Sequence, residues 1–347
     1  MPFDLEIDNL KKKLASVGDL YSPAEVRKIV LTILVGQNYR TSIETATSLE
    51  ISCYMSWVLS VCHKAKLEFG NDWLSKLQGV CVDSTGVEAD WLGVWLMGLT
   101  IKTQQNLGVK AKRADYLKQV KVANDKLVRQ YANTTSIELY SKGLAPMKLS
   151  TGDSIWLLQI AGAAVLTVRG SKKSSVGKLL EKAIARACFT ALGLVENHDF
   201  KINLAADKEV ERETDAEIKT RRGTVRVDVA LIGTGNQEVS EDKLSRVGRH
   251  GIVIVDKLGA RSKVPGNADK AGVHLTVIQG HKPLSDLYNH LEPLMPENKK
   301  LTKPPTEHDA LQELLDNLPD RIFVVAKPML HAEVTHDTKP LKGMRRK

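Results

Sequence analysis

Glu181, Glu217, Asp228, Glu238 and Glu241, with Lys243 two residues beyond the last, are the residues of this chain whose types and spacing can do chemistry. Hydrolysis of a phosphodiester calls for a metal ion that lowers the pKa of the attacking water and offsets charge in the transition state. Magnesium takes oxygen ligands, usually one or two protein carboxylates, and keeps waters in its other positions. A lysine beside it neutralises or orients the nucleophile. Acids on adjacent elements plus one lysine are therefore the ingredients of a magnesium-dependent nuclease. In that reading Asp228, Glu217 and Glu238 or Glu241 bind Mg2+, and Glu181 supports them. Lys243, rather than Lys257, supplies the cation.

These residues need a sheet to gather them. Residues 214–219 read as a strand, Arg221-Arg222-Gly223 as a turn, and residues 224–232 as the returning strand. Along the second strand Val225, Val227, Val229 and Leu231 alternate with Thr224, Arg226, Asp228 and Ala230, the period-two pattern of a sheet. An acid at 228, inside an apolar run, is a poor surface charge; its structural alternative is an ion pair with Arg226 or Arg246. Glu217 shares its face if the register allows. Asn236 can cap a helix running to Val247. Acids in its first turns are favoured by the helix dipole in any case. On such a helix Glu238 and Asp242 share a face and Glu241 lies on another, so the choice between Glu238 and Glu241 stays open. Gly177 to Leu194 reads as the helix bearing Glu181. Residues 251–256 and 273–278 read as buried strands.

The chain around this stretch has 347 residues, 42% of them apolar and 26% charged, as in ordinary soluble domains. Its net charge of +9 points to a polyanionic partner. No apolar run is long enough to span a bilayer, and the acidic N-terminus is unlike a secretion signal, so a cytoplasmic location is expected. The four cysteines lack metal-ligand spacing and read as buried thiols. His331 and His336 likewise lack the partners of a zinc site.

The first half reads as helical. Residues 4–16 form a short amphipathic helix. Ser22-Pro23-Ala24-Glu25 is a strong helix start, and residues 43–68 form a second long helix. Tryptophans 57, 73, 91 and 95 read as core in preference to a base-stacking platform. The lysine-rich run from 102 to 129, with Lys110, Lys112 and Arg113, is the best candidate for a phosphate-contacting surface. A polar stretch at 169–175 reads as a linker. The expected organisation is a helical DNA-binding or dimerisation domain over 1–165, a nuclease core over 166–300, and a C-terminal extension over 301–347. That extension has a helix at 310–318, an edge strand at 321–327 and a basic tail.

Two nucleotide-binding motifs fail. Gly170 to Lys178 is too widely spaced for a phosphate-binding loop, and Leu179 replaces its magnesium-holding hydroxyl. Gly233-Thr234-Gly235 after a strand begins like a dinucleotide-binding turn, but Glu238 stands where the third glycine belongs. The remaining rival to a nuclease is a DNA-binding protein without catalysis, with a cofactor-binding enzyme behind it.

The order of a helix with Glu181, a hairpin with Asp228, Glu241-Asp242-Lys243 and then two strands resembles the PD-(D/E)xK nuclease core. That core is an α/β (α+β) fold with a mixed central sheet flanked by helices. GQNYRTSIETAT at 36–47 and DVALIGTGNQEVSEDKLSRVGR at 228–249 resemble type II restriction endonucleases of the CfrBI type. The sequence departs from the pattern in two ways: no proline precedes Asp228, and the Glu-x-Lys triplet lies in a polar, helical segment. Those departures leave room for a migrated lysine or glutamate. The resemblance implies magnesium-dependent cleavage of double-stranded DNA within a restriction-modification system. It also implies a palindromic target of the CCWWGG kind and a homodimer to match it. DNA contacts would then fall to Arg221, Arg222, Arg246 and Arg249, whose guanidinium forks suit guanine edges and phosphates. Gln37, Asn38 and Arg40 are a further candidate group.

Overall fold

The computed structural model describes residues 4–18, 22–84, 96–99, 110–131, 137–140, 146–203, 214–231, 237–279 and 282–324. They form two compact units, the first within residues 1–16 and 50–169, the second within residues 17–49 and 170–328. In chain order the elements are α1 (Ile7–Gly18), α2 (Pro23–Leu34), α3 (Arg40–Phe69), α4 (Trp73–Asp83), α5 (Lys110–Tyr131), β1 (Ile137–Leu139), β2 (Met147–Leu149) and α6 (Thr151–Ala191). They continue with β3 (Phe200–Ile202), β4 (Ala216–Thr220), β5 (Gly223–Ala230), α7 (Gln237–Val247) and β6 (Ile252–Val255). The last are α8 (Val264–Ala271), β7 (His274–Val277), α9 (Pro283–Leu291) and α10 (His308–Asp316).

The first unit packs its helices around Trp57, Trp73, Leu77, Trp156 and Ile160, all buried. Trp57 and Trp73 are therefore core, as their spacing among apolar residues predicts; Trp91 and Trp95 lie outside the described residues. Trp57 donates its indole N–H to the Leu5 carbonyl at 2.7 Å, which keeps its one polar atom satisfied inside the core. The unit also contains an antiparallel ribbon, β1 with β2, that an all-helical reading of this half does not include.

The second unit is built on one five-stranded sheet in the order β3-β4-β5-β6-β7. β3, β4 and β5 form an antiparallel meander. β5, β6 and β7 are parallel, with α7 and α8 as the crossovers. Period-two alternation in β5 divides the core. Val225, Val227 and Val229 face a cluster with Val30, Ile184, Phe189 and Leu287. Ala230 faces Leu244 and Val247 of α7 and Val264 of α8. β6 is the central parallel strand, covered on both faces, so all four of its residues are buried and it reads as an unbroken apolar run. Each such side chain contributes about 1.5–3 kcal/mol on burial. The observed class, a mixed sheet flanked by helices, is the one expected.

α2 starts as its sequence predicts, with Ser22 Oγ accepting the Glu25 N–H at 3.4 Å and Pro23 in the first turn. Two local expectations fail. The polar stretch at 169–175 is no loop: α6 runs through it without a break, because the stretch holds no proline and an interior glycine costs only about 1 kcal/mol. Residues 320–322 form a 3-10 turn in place of an edge strand. Phe323 is buried beside that turn, with the Arg27 guanidinium 4.7 Å above its ring. Arg27 also donates to the Leu318 carbonyl at 2.8 Å, which ties this segment to α2 within the second unit. The tail from 325, with His331 and His336, lies outside the described residues.

Candidate active site

The hairpin sets the first two side chains. Its turn is Arg221-Arg222, closed by the pair Thr220 and Gly223, and the register runs back to Ala216 opposite Val227. One step further, Asp215 comes level with Asp228. Asp215 Oδ2 accepts the Val229 N–H at 2.8 Å, so this acid is fixed by the backbone of its neighbour strand. Asp228 is 1% exposed, on the sheet face covered by α7. From that helix Lys243 reaches in, with Nζ 2.5 Å from Asp228 Oδ1 and 2.5 Å from the Val229 carbonyl. Its ammonium stands 3.7 Å from Asp215 Oδ2 and 3.8 Å from Glu181 Oε1. Glu181 arrives from α6 and accepts the Leu231 N–H at 3.2 Å.

Three carboxylates thus converge on one ammonium group in a dry setting. Burial is the main force on Asp228 and pushes its pKa up to about 8; Lys243 opposes this, and the adjacent Asp215 carboxyl adds to it. Glu181 is pushed up to about 7, again by burial, with Lys243 opposing and Asp215 reinforcing. For Lys243, burial alone would lower the pKa, but the surrounding carboxylates outweigh it and hold the ammonium form. Asp228 Oδ2 is buried with no hydrogen-bond donor, and Arg246 Nη1 stands 3.7 Å from it. Arg246 is itself held by Asp242, one helical turn earlier.

The structure therefore gathers Asp228, Lys243 and Glu181 from the expected set and adds Asp215. Glu217 shares the sheet face of Asp228, being paired with Arg226, but its carboxylate is taken by Lys201 at 2.9 Å and Asn203 at 3.4 Å. Glu241 is exposed and accepts a hydrogen bond from Asn267 at 3.0 Å, outside the group around Lys243. The side chain of Glu238 lies outside the described residues. The signal that finds Asp215 is the turn itself: counting pairs outward from Arg221-Arg222 places it opposite Asp228.

Among the candidate DNA contacts, Arg221, Arg222 and Arg249 are exposed. Lys112 is exposed on α5, whereas Arg113 is 7% exposed inside the first unit; the side chain of Lys110 lies outside the described residues. Asn38 Oδ1 accepts the Arg40 N–H at 3.1 Å at the start of α3.

The sequence profile of the CfrBI restriction endonuclease family matches residues 23–263, a span that takes in all four clustered residues. The chain belongs to that family. Among characterised proteins it is similar to the type II restriction enzyme CfrBI of Citrobacter freundii, at 27% identity over 280 residues, covering 73% of this chain and 77% of that enzyme. No solved structure matches it significantly. As a member of the CfrBI family the chain is a type II restriction endonuclease, a site-specific deoxyribonuclease.

Among the described residues no helix is long and apolar enough to cross a membrane. Among them, too, no three His, Cys, Asp or Glu side chains form a ready metal centre. The acids of the cluster are instead drawn around the Lys243 ammonium, which is the positive charge at their focus.

Proposed function

We propose that this enzyme cuts both strands of duplex DNA in a magnesium-dependent reaction, on a PD-(D/E)xK-type core whose lysine has moved from strand to helix. The observation that carries this reading is the convergence of Asp215, Asp228 and Glu181 on Lys243. In it Asp215 and Asp228 are the hairpin acids. Ala230 holds the position two beyond Asp228 that a strand-borne lysine would occupy, and Lys243 supplies that amine from α7.

The donor set fits magnesium. It is all oxygen, it carries more negative charge than its lysine balances, and Asp228 Oδ2 is buried without a donor. Asp215 and Asp228 would hold the ion, with Glu181 beside them. When bound, magnesium lowers the pKa of water and offsets charge on the phosphoryl group. Lys243 stays protonated among the acids and orients the attacking water. Arg246, held by Asp242, lends positive charge at the mouth of the site. Exposed Arg221 and Arg222 on the hairpin turn suit the DNA backbone.

A palindromic target of the CCWWGG kind and a homodimer belong to the same proposal, since a two-fold symmetric protein matches a two-fold symmetric site. So does a cytoplasmic location, which suits a DNA substrate and four free cysteines. The test is digestion of plasmid and phage DNA with magnesium or chelator, using the wild type and Asp228→Ala. Discrete fragments that need magnesium and vanish in the variant are expected, and their ends give the site. Intact DNA with folded protein would sink the reading in favour of DNA binding without cleavage.

A further inference from the structure

The second unit has an open cavity of about 260 Å³ whose lining is separate from the carboxylate cluster. It lies at the C-terminal ends of β6 and β7, where Asp256 and Gln279 leave the sheet, and is closed by the 36–40 segment leading into α3. In open parallel sheets the crevice at these strand ends is where ligands bind. Asp256 forms the floor and is 6% exposed. Its Oδ2 accepts the Tyr39 O–H at 3.0 Å and stands 3.5 Å from Arg40 Nη2. Asp256 donates its own N–H to the Ala230 carbonyl at 3.1 Å. The floor is thus one strand away from Leu231, whose N–H is held by Glu181. With about 3.3 Å per residue along a strand and about 4.8 Å between strands, the backbone at Asp256 lies on the order of 10 Å from that at Asp228, with the two side chains alternating to opposite faces of the sheet. That distance is about three base-pair steps of DNA.

The lining decides between the two parts of DNA that could enter. Gln37, Asn38 and Gln279 bring amides, each a donor and acceptor side by side, and Ile33 and Ile278 bring apolar surface. Of the two cations in the lining, Lys257 suits a phosphate, whereas Arg40 is already offset by the Asp256 carboxylate at 3.5 Å. A base edge would meet amide pairs and a guanidinium, the groups that read purines in pairs of hydrogen bonds. We propose that this cavity reads a base of the target within about three base pairs of the cut, with Arg40 and Gln279 as reading residues and Asp256 positioning Arg40. The inference rests on the sequence-specific DNA reading above and adds where part of that specificity sits.

The test separates the two. A pool of duplex oligonucleotides randomised at the centre is selected by binding, with calcium in place of magnesium, so that cleavage plays no part. Wild type, Arg40→Ala, Gln279→Ala and Asp256→Asn are compared, with thermal melting as the folding control. The wild type should select one consensus. Arg40→Ala and Gln279→Ala should each lose preference at one base-pair position, roughly 5- to 150-fold, with the others kept. Asp256→Asn should weaken the same position as Arg40→Ala. Uniform weakening at all positions would assign these residues to phosphates and overturn the proposal. An unchanged consensus, or none from the wild type, would overturn it equally. Failure of the nuclease reading would appear separately, as plasmid left intact in magnesium.

Discussion

Asp228 and Asp199 are both buried in the second unit, and their surroundings drive them in opposite directions. Around Asp199, burial favours the neutral acid, but Lys299 at 2.6 Å, the Val195 N–H at 2.9 Å and His198 at 2.8 Å outweigh it and pull the pKa down to about 2. Around Asp228, one lysine serves three acids, one oxygen has no donor, and the pKa rises. Burial is common to both. The count of donors against acceptors is what differs. Asp199 is a satisfied acid that locks the 195–199 turn, whereas Asp228 keeps one oxygen without a hydrogen-bond donor.

The widest gap between them should appear in Asp228→Asn. Cleavage is expected to fall at least about 100-fold, while the thermal midpoint without metal stays level or rises, because a neutral amide replaces an acid that burial disfavours in its charged form. A clear loss of melting temperature, measured by calorimetry, would show that Asp228 is structural after all. Asp199→Ala should do the reverse. Losing charge-assisted bonds costs about 2 kcal/mol of stability in denaturant titration, with cleavage at moderate temperature nearly unchanged.

The smallest effect is the pH dependence of the Asp228→Asn stability difference. Asp228 has a folded pKa above its unfolded value of about 3.8, so the folded state holds a proton that the unfolded chain has lost. Its contribution to stability is therefore lost as pH rises from near 4 toward 8. The melting advantage of Asp228→Asn, absent near pH 4, should grow across that window and shrink when magnesium is added. For Asp199 the sign is opposite: its contribution is full above pH 4 and fades as pH falls toward 2.

The same contrast explains what could be read in advance. Asp228 is legible because an acid breaks an apolar alternation, and β6 because a doubly covered strand has no polar face to show. Asp215 hides in Thr-Asp-Ala-Glu-Ile-Lys, which looks like any solvent-facing strand until the turn fixes the register. Lys243 stands out in the sequence through its triplet with Glu241. On a helix, residues two apart point in different directions, so Lys243 turns inward while Glu241 is exposed beside Asn267. The passage of α6 through 169–175 was illegible for a simpler reason: polar residues resemble a linker, and only proline would have forbidden the helix.

Lys243 comes from a helix that follows both hairpin acids in the chain, and this sets the order in which the enzyme can be completed during synthesis. When Asp215 and Asp228 have left the ribosome, the lysine has not, and β6, against which β5 must pair in parallel, is later still. Such non-local pairing is slow to form. On the proposed roles, a truncated or half-made chain carries the two hairpin acids without the lysine they share. Cleavage of DNA, on those same roles, waits for the helix that carries Lys243 and for the parallel strand that follows it.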